Sequence, residues 1–187
     1  MHPVRTSAFL LVALIAAGAA IAVAQPGGGA RGGGGERSAT LRDGKGKRVG
    51  TVTFRQRGGR GPVSVTARVR GLPAGFHGFH IHAVGQCQAP TFMSAMGHLK
   101  RDAQNHPSHI GDLPVLLVNR SGAGRLSTVT DRFDLRQLRD ADGAAVIVHA
   151  LPDNYANIPT RYQPQPPDQM TLDTGDAGPR LACGAVR

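Results

Sequence analysis

The stretch Phe76-His77-Gly78-Phe79-His80-Ile81-His82 constrains this chain more than any other. Its composition reads as a β-strand, on which successive side chains point to opposite faces. His80 and His82 then share one face, while Phe79 and Ile81 share the other. Two imidazoles at i and i+2, backed by apolar residues, can hold one metal ion against the outside of a β-core. Imidazole suits copper and zinc especially well. Seven of the eight histidines fall in three groups: 77, 80 and 82; 98, 106 and 109; and 149. Histidines scattered over a surface would not bunch in this way.

The segments around these groups are short and alternating, which predicts an all-β fold. Val49–Phe54 is β-branched, and Arg57–Pro62 is a turn. Val63–Arg70 alternates strictly, with Val63, Val65, Ala67 and Val69 facing inward. Pro114–Asn119 and Leu126–Thr130 make a hairpin, Ala144–His149 is a further strand, and Arg180–Val186 closes the chain. About eight strands result, joined by turn residues and by two long loops, Val84–Asp112 and Pro152–Pro179. The pattern predicts an antiparallel barrel or sandwich. Both long loops abut histidines.

The N-terminus is organised differently. Ala8–Val23 is an uncharged apolar run behind Arg5, and Ala22-Val23-Ala24 has the small-x-small form of a cleavage site. Residues 1–24 are expected to be a secretory signal peptide; a retained anchor is the alternative. Residues 25–38, with seven glycines among the eleven residues from Pro26 to Glu36, read as a flexible linker, and residues 39–187 as one folded domain. The formal net charge of +10 invites a nucleic-acid or membrane-surface reading. The arginines are spread singly and aromatics make up only 4 %, so no nucleic-acid partner is expected. Two cysteines, Cys87 and Cys183, allow one intramolecular bridge in an exported chain. Closing a loop of that size is worth about 4–5 kcal/mol on the chain-entropy estimate.

Gly78-Phe-His-Ile-His82, Gly97-His98, His109-Ile-Gly-Asp112, Val148-His149 and Gly175–Gly184 together resemble the copper–zinc superoxide dismutase family, in the family's order. Asp153-Asn-Tyr-Ala-Asn-Ile-Pro159 is similar to its bacterial branch. The resemblance covers nearly everything from about residue 40 onward. It implies a flattened eight-stranded Greek-key barrel and the disproportionation of superoxide into dioxygen and hydrogen peroxide.

By that resemblance His80, His82, His98 and His149 hold copper. His98, His106, His109 and Asp112 hold zinc, with His98 shared between the two. Arg180 is the arginine that attracts the anion, and His98 takes part in proton transfer. His77 and Asp153 orient the ligands, and Cys87 pairs with Cys183. The implied protein is periplasmic or extracellular, a monomer or homodimer, with no membrane span once the leader is removed. Two departures stand out. His106 and His109 are separated only by Pro107-Ser108, so these ligands must converge through a tight turn. Asp173 stands where many members carry a guiding lysine. Two other functions compete: a non-enzymatic copper-binding or copper-delivery protein, and a surface module using the basic charge and the glycine tether. The first has no need of Arg180, and the second leaves the histidines unexplained.

Overall fold

A computed structural model describes residue 1 and residues 35–187. The expected signal peptide, apart from Met1, and linker residues 25–34 lie outside the described residues. The described residues form nine antiparallel strands: β1 (Gly35–Asp43), β2 (Arg48–Gln56), β3 (Val63–Arg70), β4 (Gly75–His77), β5 (Phe79–His82), β6 (Leu116–Val118), β7 (Ala123–Thr130), β8 (Ala145–His149) and β9 (Arg180–Ala185). Among the described residues one α-helix, the six-residue α1 (Gln169–Thr174), lies in the second long loop. The strand order is β4-β6-β7-β3-β2-β1-β9-β8-β5, a nearly closed barrel. The all-β expectation is borne out. β1 begins at Gly35, so the last four residues of the expected linker belong to a strand paired with β2.

The count reaches nine because β1 precedes the first segment read as a strand and the histidine segment is two strands. β4 pairs with β6, and β5 pairs with β8, at opposite ends of the strand order. Gly78 is the joint. Its N–H donates to Leu151 O at 2.8 Å, and its carbonyl accepts from His149 N at 2.8 Å. A Cβ here would lie 2.5 Å from Ala177 Cβ and 3.1 Å from His80 Cε1, so only glycine fits.

Alternation sets the core. Val63, Val65, Ala67 and Val69 of β3 are buried as predicted, and they pack with Leu41, Phe54, Phe79, Ile81 and Leu116. In β2, Val49 and Val52 both face inward although three residues apart. The register shifts here, where Leu41 opposes Gly50 and Arg42 opposes Arg48. β8 is buried along its whole length. Val146 and Val148 enter the main core, while Ala145 and Ile147 meet Phe92, Ala95 and Cys183 beneath the first long loop. That loop is tied down by the Cys87–Cys183 disulfide, which spans 96 residues. The covered outer face of β5 and β8 is where the histidines point. Among the described residues no helix is long and apolar enough to cross a membrane.

Candidate metal centre

β5 holds Phe79 and Ile81 in the core and turns His80 and His82 out beneath the long loops. The first loop then completes the free edge of β5. Ile81 N donates to Gly111 O at 2.9 Å, and Leu99 N donates to Ile81 O at 2.8 Å. These bonds set His98 opposite His82 and Asp112 opposite His80. A Cβ on Gly111 would collide with the Ile81 carbonyl, so the close approach requires glycine. His149 arrives at the end of β8.

An accounting of ring nitrogens shows what these side chains are held for. His80 Nε2 donates to Asp153 Oδ2 at 2.6 Å, His82 Nδ1 to Met96 O at 2.7 Å, and His149 Nδ1 to Gly178 O at 2.9 Å. The opposite nitrogens converge. His82 Nε2 and His149 Nε2 lie 3.3 Å apart, while His80 Nδ1 and His98 Nε2 are buried without a hydrogen-bond partner. Ligand atoms of these four histidines all lie within 4.8 Å of one another. An orphaned imidazole nitrogen in a dry site costs stability unless something occupies it. Four fixed, convergent nitrogens fit a copper ion, with the outer hydrogen bonds setting tautomer and ring orientation.

A second centre adjoins the first through His98. Its Nδ1 is 2.8 Å from Asp112 Oδ1, and His109 Nδ1 lies 3.3 Å from both of those atoms. His106 Nδ1 is 3.0 Å from Asp112 Oδ2 but out of line for a hydrogen bond, and it is otherwise unpartnered. The far nitrogens are again anchored, His106 Nε2 on Asp153 Oδ1 at 2.8 Å and His109 Nε2 on Gln104 O at 3.1 Å. Here the compact group within 4.8 Å is His80, His98, His106 and Asp112, with His109 beside it. Three imidazoles and one carboxylate fit a structural zinc ion. The Pro107-Ser108 turn brings His106 and His109 together, with ring centroids 5.8 Å apart. Asp153 accepts from His80 with one oxygen and from His106 with the other, so a single carboxylate links the two centres.

Burial and charge tune these groups. Burial pushes His82 well below the usual imidazole range, and it lowers His98 to about 4 and His149 to about 3. Burial also opposes charge on His106, but the adjacent Asp112 carboxylate and the hydrogen bond to Asp153 outweigh it and raise the ring to about 9. Both carboxylates are themselves buried. Even so, the imidazoles of His106, His109 and His98 close around Asp112, and the hydrogen bonds of His106 and His80 to Asp153, hold both carboxylates well below the carboxylate range. A buried pair of anions with one protonated imidazole is a setting that favours a cation.

Arg180 opens β9 with its fork fixed by the first loop: Nη1 donates to Phe92 O and Nη2 to Met96 O, each at 2.6 Å. It borders, with His82, His98 and His149, a cavity of about 880 Å³ between the two long loops. At the mouth Lys100 Nζ lies 3.9 Å from Asp173 Oδ1, so the departure at Asp173 meets a lysine from the other loop. His77 touches no other imidazole of the cluster. It bridges Pro73 O and His149 O at 2.9 and 2.7 Å, and so fixes the backbone at the end of β8.

Other contributors were not foreseen. The carbonyls of Met96, Gly178 and Gln104 anchor three rings, and no side-chain pattern marks a carbonyl. Arg132 donates to Pro107 O and His109 O, bracing the short turn. Tyr155 stacks on His106 with ring planes 12° apart. Gly175 sits at φ +59°, and a Cβ there would overlap Asp153 Oδ1 and His106 Nε2.

The sequence profile of copper/zinc superoxide dismutase (SODC) matches residues 48–186. A Cu-Zn superoxide dismutase of Mycolicibacterium paratuberculosis is 40 % identical over 157 residues, covering 75 % of this chain and 69 % of that protein. One from Mycobacterium tuberculosis is 39 % identical over 165 residues, covering 80 % and 69 %. Cu-Zn superoxide dismutase 2 of Salmonella typhimurium is 32 % identical over 165 residues, covering 81 % and 86 %. The crystal structure of the clock protein EA4 superposes with a TM-score of 0.63 at 26 % identity, covering 81 % of this chain and 92 % of that one. With a profile matched across most of the barrel and both histidine centres assembled beneath its loops, this chain belongs to the copper/zinc superoxide dismutase family.

Proposed function

We propose that this chain disproportionates superoxide at the linked histidine centres, with His80, His82, His98 and His149 holding copper and His98, His106, His109 and Asp112 holding zinc. The observation that carries the reading is the set of buried imidazole nitrogens left without partners and aimed inward, while the opposite nitrogens are fixed. Copper supplies reversible one-electron chemistry when bound, and zinc, which has none, supplies fixed positive charge and structure.

The chain's residues do the rest. Arg180 draws the small anion into the cavity, its orientation set by the two carbonyls it binds. His98 Nε2 holds and returns a proton, so that two superoxide ions and two protons give one dioxygen and one hydrogen peroxide. Asp153 keeps His80 and His106 in one tautomer and one orientation. A copper-delivery protein would gain nothing from an arginine fixed beside the histidines. The bridged cysteines and the expected leader support export to the periplasm or exterior, as a monomer or homodimer.

Arg180→Glu tests the reading. The variant should keep its copper and lose about 10²-fold in superoxide turnover, because capture of the anion is electrostatic. Unchanged turnover would show that Arg180 is misassigned.

A further inference from the structure

The cavity above the histidines has a rim that its anionic substrate does not explain. Met93 enters it from the short turn Met93–Ala95 in the first long loop, and Met170 enters from α1 in the second. These two side chains are 63 % and 70 % exposed, so neither serves the core. A third methionine, Met96, is 59 % exposed and gives its carbonyl to His82 and Arg180. Every methionine among residues 35–187 therefore stands at or beside this one site. Apolar thioethers contribute nothing to steering an anion. The two rim ions near them, Lys100 and Asp173, lie against each other.

Sulfur chemistry offers a reason. A thioether is a soft, neutral, weak ligand with no proton to lose, and it selects Cu(I) over the harder divalent ions. On the floor of the same cavity, His82 Nε2 and His149 Nε2 lie 3.3 Å apart, a stronger pair of donors. Weak sulfur donors outside and firm nitrogen donors inside make a directed path.

The geometry points to Met93 and Met170 as a capture site for Cu(I), from which the ion is handed inward to His82 and His149. The inference rests on the copper reading of the histidine set. The transfer is a ligand exchange: thioether–copper bonds break, imidazole–copper bonds form, no electron moves, and copper arrives reduced.

The test follows metal uptake rather than turnover. Metal-free protein with its disulfide intact is mixed anaerobically with the Cu(I)–bicinchoninate complex, and loss of the chelator's colour gives the transfer rate. In a parallel arm, Cu(II) is supplied as its glycine complex. Met93→Leu/Met170→Leu keeps the apolar volume and removes both sulfurs. The double variant should take up Cu(I) about tenfold more slowly, with Cu(II) uptake and final copper content unchanged. Equal Cu(I) rates would overturn the proposal. So would equal slowing of both oxidation states, which would show that rim shape rather than sulfur matters. A wild-type protein that retains no copper from either source would instead remove the histidine assignment, and the capture site with it. A second measurement needs no variant: Ag(I), a redox-silent analogue of Cu(I), added to copper- and zinc-loaded protein should shift the methyl resonances of Met93 and Met170. Methyl resonances that stay in place would overturn the proposal.

Discussion

At the scale of residues, the centre is organised by where each imidazole spends its second nitrogen. Asp153 shows this best, since its two oxygens hold His80 in one centre and His106 in the other. Asp153→Ala removes both acceptors, so both rings lose their anchor. Affinity for both metals should fall by about 10–100-fold, read by chelator competition, with the barrel's circular dichroism unchanged. Loss confined to one metal would contradict the linkage. The same residues set the pH response of the metal-free protein. His98 and His149 titrate near 4 and 3 when folded, and His82 is lowered as well, so the unfolded chain takes up protons first as pH drops below about 6.5. Stability is then lost as pH falls through that window. His106 works in the other direction: raised to about 9, it contributes stability that is complete below about pH 6.5 and lost as pH rises through 9. The melting temperature of metal-free protein should therefore peak between about pH 6 and 7. A melting temperature that climbs steadily toward acid would contradict this account.

At the scale of elements, the alternation of Phe79, His80, Ile81 and His82 was legible because period-two patterning is local. So was the inward row of β3. The break at Gly78 was not, because it depends on the chain leaving β6 and joining β8 at the other end of the strand order. α1 also escaped notice inside a Pro-rich loop, although its caps are visible in retrospect. Asp168 accepts from Thr171 N, and Gly175 takes the left-handed turn at its end. The ligand types in the candidate centre were legible, whereas their carbonyl anchors on Met96, Gly178 and Gln104 carry no side-chain signature. The disulfide belongs to this scale too. It fixes the loop that carries Met96 and His98 against β9, which begins with Arg180. Cys183→Ser should cost about 2–5 kcal/mol of stability, seen in denaturant unfolding. It should also weaken copper binding, because the His82 and Arg180 anchors move with the loop. Copper affinity equal to wild type would show that the loop holds its place without the bridge.

At the scale of the whole molecule, the barrel provides a rigid outer face and the two long loops close a chamber over it. The histidines come from β5, β8 and the first loop, and Asp153 and Gly175 come from the second, so the centre exists only when the complete domain has folded. The formal net charge of +10 gives the molecule a field that attracts small anions, and the proposed function makes Arg180 its local focus. The most direct test is the decay of a superoxide pulse in the presence of protein reconstituted with copper and zinc, with bound metal counted on the same sample. The account predicts one copper and one zinc per chain and near diffusion-limited acceleration of decay, falling as salt is added. Copper-loaded protein that leaves superoxide decay at its spontaneous rate would contradict it.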